Sequence, residues 1–524
     1  MQKNSKRGLF FASLLFIFSL TSFAGVSLPK IFGDHMVLQR DQAIPVWGWD
    51  DPNIEVSVTF AGQTKTAKTD DFGKWMVKLD AVKANKVGQE LLVKGSSSKV
   101  FKDVLVGEVW LCSGQSNMEW SVNASMNAAE ERKAGTYPTI RHFKVGRGNQ
   151  AFPAEDVNGN WSVCSPSTVG NFTAVGYYFA RKIHKELDVP VGLIGSNWGG
   201  TRVEPWTAPI GFRSVPELKG LSEKVDSWSV KTEAGKKAWQ EYLNRIKHWT
   251  AMAEDALKEN QNVPILPEAP GPGKSHQEAT KLYNAMIAPL IPYGIRGAIW
   301  YQGESNGNEG ISYFHKKNAL ITGWRKLWKQ GDFPFYFVQL ANWRQASSNP
   351  QGGDGWAKVR EAQTKCLELK NTGMAVIIDI GEAKDIHPRN KQDVGLRLAS
   401  WALVKDYGKS MVYSGPIYKS HKVEGNKIRI EFEHVGSGLM LGQKQGLKPV
   451  TEDNSGKMKH VAIAGADKKW HWAEAKIEGN SIVVSSDKVI SPVAVRYAFS
   501  MNPEGANLYN KEGFPASPFR TDNW

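Results

Sequence analysis

The chain has 524 residues, and its 66 Lys and Arg against 52 Asp and Glu give a formal net charge of +14 at pH 7. At ~100–200 residues per domain, this length excludes a mini-protein and predicts more than one domain. The basic residues are spread along the chain without a long basic run or a nucleic-acid-binding motif, so we expect no nucleic-acid partner.

The first 24 residues have the pattern of a secretory signal peptide. Lys3, Lys6 and Arg7 precede an apolar run at 9–20, and the segment ends at Ala24. The apolar run is shorter than the ~20 residues that span a bilayer. We therefore expect cleavage after Ala24, export to the periplasm or the medium, and no membrane insertion of the mature chain.

Residues 25–103 show short alternating apolar patterns separated by turn residues. Apolar and polar residues alternate at 56–61 and at 74–79, with the turn 70–73 between them. Regular short strands without a helix-length pattern predict an N-terminal β-sandwich module.

Residues 104–408 alternate strands with helices. Apolar runs predict strands at 104–112, 191–196, 296–301, 333–340 and 374–380, and helical patterns occur at 175–187, 356–369 and 392–407. This alternation predicts an α/β domain whose mainly parallel sheet is covered on both faces. We interpret 210–280 as an insertion, because a charged helical stretch and a Pro- and Gly-rich loop interrupt the pattern there.

After residue 409 the alternating pattern returns, at 427–432, 460–464, 481–485 and 493–497. These runs predict a C-terminal β module over 409–524.

The three cysteines are too few for a disulfide framework. We interpret Cys112 as a small buried apolar residue. A bridge between Cys112 and Cys164 is compatible with export and stays an open alternative. No metal-ligand spacing occurs, so we expect no metal site.

Four polar motifs lie where apolar strand-like runs stop. They are Gly114-Gln115-Ser116-Asn117, Gly199-Gly200-Thr201, Gln302-Gly303-Glu304-Ser305 and Asp385-Ile386-His387-Pro388. Ligands of open parallel sheets bind beyond the carboxyl ends of the strands, so the four motifs are expected to converge on one crevice. A hydroxyl, an imidazole, an acid and amide donors are the groups that acyl transfer requires.

Within these motifs, Ser116 is the candidate nucleophile and His387 the candidate base. Asp385, two residues before the histidine, is the candidate acid that holds the ring. The alternatives are structural: Ser116 caps a helix, Asp385 caps its loop, and His387 is a satisfied, partly buried ring.

The candidate donors of an oxyanion hole are the Ser116 N–H, an N–H of Gly199 or Gly200, and the side-chain amide of Gln302. Both glycines also have an alternative interpretation as ordinary turn residues. Glu304 has no single assignment: it orients its loop, binds sugar hydroxyls or forms a salt bridge.

The chain is rich in tryptophan, with 20 residues, most of which we expect in the core. Flat apolar faces with polar tips suit sugar rings. The candidate substrate-binding residues beside Glu304 are Trp120, Arg202, Glu204 and Trp206.

Five runs together carry a resemblance to a known family: 109–119, 196–206, 282–290, 299–306 and 385–391. They resemble the sialate O-acetylesterase family within the SGNH hydrolases. The resemblance implies a three-layer α/β fold, Ser116 as nucleophile, His387 as base and the Gly199-Gly200 block in the oxyanion hole. Gln302 stands where many SGNH enzymes have asparagine.

The chain departs from the superfamily pattern at the acidic residue that normally precedes the histidine. The superfamily's usual acid precedes the histidine by three residues, and that position is Lys384 in this chain. A Ser-His dyad supported by a backbone carbonyl is therefore the alternative to a triad that contains Asp385.

The resemblance implies a cofactor-free serine esterase that removes O-acetyl groups from a carbohydrate through an acyl-serine intermediate. The expected substrate is sialic acid or an acetylated polysaccharide. The alternatives are an acetyl xylan esterase specifically, a peptidase or phospholipid-directed esterase on the same machinery, and a non-catalytic secreted glycan-binding protein. The acetylated sugar, its hydroxyl and the oligomeric state stay open.

Overall fold

The computed structural model describes residues 25–524, so the predicted signal peptide lies outside the described residues. A mixed central sheet with helices is preceded and followed by segments rich in β-strands. Within residues 25–524, none of the helices combines the length and apolar character that crossing a membrane requires.

The N-terminal segment consists of six strands. They are β1 (Val37–Gln39), β2 (Ile44–Trp49), β3 (Glu55–Phe60), β4 (Gln63–Lys68), β5 (Lys74–Leu79) and β6 (Asn85–Lys94). β2 pairs antiparallel with β5, and β3 lies between β4 and β6. In β3 the side chains of Val56, Val58 and Phe60 are buried while the intervening residues are not, as period-two alternation predicts.

Strand β7 (Ser98–Gly114) joins this segment to the central sheet. Its first half pairs with β6 and its middle with β1, and its second half lies between two strands of the central sheet. The boundary predicted between residues 103 and 104 therefore falls within a continuous strand.

The central sheet has the order β13-β12-β11-β7-β10-β8-β9. Its further strands are β8 (Tyr137–Lys144), β9 (Trp161–Cys164), β10 (Val191–Asn197), β11 (Gly297–Tyr301), β12 (Phe335–Val338) and β13 (Thr372–Ala375). All of these neighbours pair in parallel except β9, which is antiparallel to β8 at the edge.

Helices lie between and after the strands of this sheet along the chain. They are α1 (Ser116–Glu119), α2 (Ala128–Lys133), α3 (Ala174–Leu187), α4 (Pro209–Arg213), α5 (Lys219–Asp226), α6 (Glu233–Lys258), α7 (Lys281–Met286), α8 (Ser312–Trp328), α9 (Gly355–Lys365) and α10 (Lys391–Lys405). Side-chain caps begin several of them: Asn390 accepts from the Asp393 N–H at 3.0 Å at the start of α10.

Successive residues of β7 belong to opposite cores. Val109 and Leu111 pack in a core that includes Leu320 and Trp324 of α8. Trp110 and Cys112 pack in a second core with residues of α3 and α10. Both faces of the sheet are therefore buried, which explains why its strands are continuous apolar runs.

The C-terminal segment consists of short strands. They are β14 (Ile417–Glu424), β15 (Lys427–Glu433), β16 (Leu439–Gln443), β17 (Thr451–Glu452), β18 (Val461–Gly465), β19 (Trp470–Trp472), β20 (Glu474–Glu478), β21 (Ser481–Ser485), β22 (Pro492–Tyr497), β23 (Leu508–Asn510) and β24 (Phe519–Arg520). The buried Arg360 of α9 donates to the carbonyls of Ser500 and Met501 at 2.7 and 2.9 Å. This contact fixes the C-terminal segment against the central region near the carboxyl ends of the sheet strands.

Candidate active site

Three neighbouring strands of the central sheet end together. Gly114 at the end of β7 pairs with Asn197 of β10 on one side and Tyr301 of β11 on the other. Gly114 has φ +136°, and a Cβ there would lie 2.1 Å from the Tyr301 carbonyl oxygen. Glycine is therefore required where the chain turns from β7 toward α1.

The first and fourth motifs meet at this edge. Ser116 begins α1, and His387 Nε2 lies 2.9 Å from Ser116 Oγ although 271 residues separate them in the sequence. Asp385 Oδ1 lies 3.1 Å from His387 Nδ1 and accepts the His387 backbone N–H at 2.9 Å. The structure thus brings the three side chains together in one line of contacts: the Asp385 carboxylate contacts the His387 imidazole, and the imidazole contacts the Ser116 hydroxyl.

The carboxyl group of Asp385 is stabilised in its ionised form. Burial alone would raise its pKa, but the hydrogen bonds from the backbone and ring of His387, with the nearby charge of Arg389, lower the pKa below its usual value. Asp385 is therefore an anion when His387 takes up a proton.

Trp120 supports the imidazole. Its indole ring stacks on the His387 ring with centroids 4.8 Å apart and planes 15° apart, and its N–H donates to the Ala124 carbonyl at 2.9 Å. Trp120 was predicted to contact the sugar; instead the structure places it against the His387 ring.

The two candidate oxyanion glycines have different environments. The Gly199 N–H donates to Glu119 Oε2 at 2.8 Å, and Arg147 holds Glu119 at 2.6 and 3.0 Å. Gly199 is therefore already bonded, which corrects its predicted role as a donor; a Cβ on Gly199 would lie 3.2 Å from Ser116 Cβ. The N–H groups of Gly200 and Ser116 make no hydrogen bond to another described residue, and both residues line the same cavity.

Gln302 does not face the cavity. It is fully buried, and its amide donates to the carbonyl of Thr201 at 3.2 Å and to Asn306 Oδ1 at 2.7 Å. Its Oε1 accepts from the Tyr313 hydroxyl at 3.0 Å. The predicted oxyanion role of Gln302 is therefore wrong in this arrangement, because both ends of the amide are bonded within the core.

Gln115 offers a further donor, although no sequence pattern marks its side chain as one. Its Oε1 accepts the Ser305 N–H at 3.3 Å, which leaves Nε2 without a bond to another described residue. Gln115 lines the cavity immediately before the serine.

Two of the predicted sugar-binding residues are structural. Trp206 is fully buried, and its N–H donates to Thr201 Oγ1 at 2.9 Å. Glu204 is 8% exposed and accepts from Lys316 Nζ at 2.6 Å. Burial removes both from the cavity and corrects their predicted role. Arg202 does line the cavity.

Glu304 also lines the cavity, and a polar network connects it to the core. Asn117 Nδ2 donates to Glu304 Oε1 at 2.6 Å, while Lys391 Nζ donates to Asn117 Oδ1 at 2.5 Å. Burial raises the pKa of Glu304, and burial lowers the pKa of Lys391 to about 7 although Glu304 and neighbouring carboxylates oppose that change. Asn117 and Lys391 were not selected from sequence, although both lie within the motif runs, one residue after Ser116 and four after His387.

The three cysteines are buried and free. Burial raises the pKa of the Cys112 thiol, and its Sγ contacts the Trp110 carbonyl. Cys112 is therefore an inert core residue. Within residues 25–524, no group of three or more His, Cys, Asp or Glu side chains is placed to hold a metal ion.

The cavity around these groups has a volume of about 890 Å³ and is open to solvent. Residues from all four motifs line it, and it extends toward Trp343, Arg344 and Met501. A hydroxyl bonded to an imidazole, beside free backbone N–H groups, is an arrangement suited to attack on a carbonyl carbon.

Comparisons with known proteins find carbohydrate acetylesterases among the relatives of this chain. A family described as carbohydrate esterase, sialic acid-specific acetylesterase, matches residues 216–403. Sialate O-acetylesterase of Mus musculus is 28% identical over 97% of this chain and 96% of its own length. The Homo sapiens protein is 28% identical over 94% of this chain and 92% of its own length.

A solved structure described as a novel carbohydrate acetylesterase from Xanthomonas citri is 36% identical. The match covers 95% of this chain and 100% of that chain, with a TM-score of 0.78. The chain therefore belongs to the sialate O-acetylesterase family and is a carbohydrate O-acetylesterase.

Proposed function

We propose that the enzyme removes O-acetyl groups from a carbohydrate through an acyl-serine intermediate on Ser116. The observation that carries this mechanism is the 2.9 Å contact between Ser116 Oγ and His387 Nε2 at the wall of the cavity. A serine hydroxyl at neutral pH is a weak nucleophile, and a base at this distance activates it.

In the first half-reaction, Ser116 Oγ attacks the acetyl carbonyl carbon while its proton passes to His387 Nε2. The carbonyl oxygen becomes an oxyanion, which accepts hydrogen bonds from the N–H groups of Ser116 and Gly200. Gln115 Nε2 is a third donor at the same wall. Each such donor typically contributes ~10²–10³ in rate.

The intermediate then collapses. The bond to the sugar oxygen breaks, and that oxygen takes the proton from His387, which leaves an acetyl ester on Ser116. Water attacks this ester as His387 accepts its proton, and the returned proton restores the Ser116 hydroxyl as acetate leaves. Asp385 stabilises the imidazolium in both halves.

The substrate within this scheme is O-acetylated sialic acid or an acetylated polysaccharide such as acetyl xylan. The relatives' descriptions support a carbohydrate, and the cavity of about 890 Å³ lies at the large end of the usual range for small-molecule pockets. We further infer a three-layer SGNH arrangement with β-sandwich-like flanking modules, supported by the two cores. The N-terminal pattern supports export after cleavage at Ala24.

Acetate release tests the proposal. Wild-type enzyme should release acetate from acetyl xylan or from 9-O-acetyl sialic acid, and Ser116→Ala should lose at least ~10³-fold in kcat. Ser121→Ala is the matched control. Ser121 precedes the short 3-10 helix Val122–Ala124, and its side chain makes no capping hydrogen bond. Near wild-type activity in Ser116→Ala would overturn the acyl-serine mechanism.

A further inference from the structure

The charged side chains that line the cavity are not all paired. Arg202 is paired with Glu309 and lies 3.6 Å from Glu204. Glu309 is also bonded to Lys316 at 2.6 Å. Arg344 lines the same cavity, yet no carboxylate of residues 25–524 lies within ion-pair distance of it. The cavity therefore has an uncompensated guanidinium.

The fold holds Arg344 at this wall. Its guanidinium lies over the Trp343 ring, 4.4 Å from the centroid, and Trp343 packs on Trp356 with centroids 5.2 Å apart. Cation–π contact with a supported ring restricts where the guanidinium lies without consuming its hydrogen-bond donors.

The backbone of Arg344 is fixed as well. Its N–H donates to the Ala383 carbonyl at 3.0 Å, in the loop that continues to His387, and its carbonyl accepts from the Asn502 side chain. Its φ of +67° is unusual for a residue with a side chain. A non-glycine residue kept in this conformation at a cavity wall is consistent with a functional constraint.

Charge complementarity identifies the ligand group. Glu309 is neutralised by two cations, and Glu304, whose Oε2 atom is buried without a partner, is the other carboxylate of the cavity wall. An exposed guanidinium with free donors matches the planar geometry of a carboxylate, to which it binds through two parallel hydrogen bonds. The positive net charge of the chain favours the approach of anionic glycans in general.

We propose that Arg344 is a specificity-determining residue that binds the carboxylate of an acidic sugar unit in the substrate. This inference rests on the proposed deacetylation by Ser116. Two sources of the carboxylate fit: a sialic acid that itself bears the acetyl group, or a uronic acid beside the acetylated unit of a polysaccharide.

The experiment compares each acidic substrate with its neutral methyl ester. The substrates are 9-O-acetyl sialic acid and an acetylated xylo-oligosaccharide carrying glucuronic acid, each with the carboxyl group free or methylated. The variants are Arg344→Gln and Arg344→Lys. Lys358→Gln is the matched control, because Lys358 is exposed on the neighbouring α9 and does not line the cavity.

In Arg344→Gln, kcat/KM for the free acid relative to its methyl ester should fall about 10- to 100-fold, since hydrogen bonds between charged groups are the strong ones. The loss should be mainly in KM, Arg344→Lys should retain part of the preference, and Lys358→Gln should keep the wild-type ratio. Whichever acid loses its preference identifies the source of the carboxylate.

Salt provides a second readout. Raising the ionic strength should raise KM for the free acid in wild type but hardly in Arg344→Gln, because screening acts on the charge pair. An unchanged acid-to-ester ratio in Arg344→Gln would overturn the role of Arg344 alone. Absence of acetate release from all four substrates by the wild-type enzyme would instead contradict the proposed function.

Discussion

Asn117, which follows Ser116, donates its side-chain amide to the carbonyl of Ile386, which precedes His387, over 3.1 Å. The same side chain bonds Glu304 and Lys391. One buried residue thus connects the loop of Ser116, the loop of His387, the third motif and the start of α10. We therefore expect the separation of Ser116 and His387 to depend on this connection.

Asn117→Ala should therefore lower kcat about 10- to 100-fold with little change in KM, because misplaced groups lose transition-state interactions and not ground-state binding. It should also lower the free energy of unfolding by about 1–3 kcal/mol, since the bonded partners are left buried and unsatisfied. Steady-state kinetics and urea denaturation measure both. A normal kcat in a destabilised variant would mean that Asn117 is structural alone.

The variant Asp385→Asn distinguishes a Ser-His-Asp triad from a Ser-His dyad. Asp385 is partly exposed, so we expect a fall in kcat of about 10²-fold, smaller than the ~10⁴-fold seen when a fully buried triad acid is changed. Lys384→Gln on the same loop is the control. If Asp385→Asn retained full kcat, the backbone-supported dyad would be the correct description.

Glu119 positions the second motif. Because it accepts the Gly199 N–H and is held by Arg147, Glu119→Ala should free the Gly199–Gly200 loop and reduce kcat/KM by at least about tenfold. Arg147→Gln should give a smaller loss, since it removes only the support of Glu119. If both variants were as active as wild type, the hydrogen bonds from Arg147 through Glu119 to Gly199 would not be needed to position Gly200.

Strands made of apolar residues could be predicted from the sequence, whereas a strand that buries polar residues could not. The runs at 191–196 and 296–301 are confirmed as β10 and β11. β8 was missed because it buries Arg141 and His142; Arg141 is paired with Asp103 at 2.7 Å, and His142 packs on Phe172. Such pairing depends on distant residues, and local patterns do not reveal it.

The same limit applies to the site. The motifs mark strand ends, so Ser116 and His387 could be selected from sequence. Whether Gln302 or Trp206 faces the cavity or the core depends on packing between elements, and both proved to be core residues. Helix α8 was missed because Lys316 and Lys317 interrupt its apolar face; Lys316 is paired with Glu204 and Glu309.

Lys317 provides a test of pH-dependent stability. It is fully buried, its Nζ lies 3.0 Å from the centroid of the Phe337 ring without a hydrogen-bond partner, and burial lowers its pKa from 10.5 to about 7. Between pH 7 and 10.5 the unfolded chain retains a proton that the folded chain has released. The contribution of Lys317 to stability therefore rises with pH across that range.

Lys317→Met should accordingly raise the free energy of unfolding by on the order of 2 kcal/mol at pH 6, and this gain should decline toward pH 10. Urea denaturation at several pH values measures it, with exposed Lys358→Met as the control. A gain that does not vary with pH would show that folding does not lower the pKa of Lys317.

Labelling by an organophosphonate, followed by peptide mass spectrometry, tests the central claim most directly. The compound reacts with a serine only when a base and an oxyanion site activate it. We predict one label per chain, on the peptide that contains Ser116, with loss of esterase activity in proportion and much slower labelling in His387→Ala. Full labelling of another residue, or complete inactivation with Ser116 unmodified, would contradict the account.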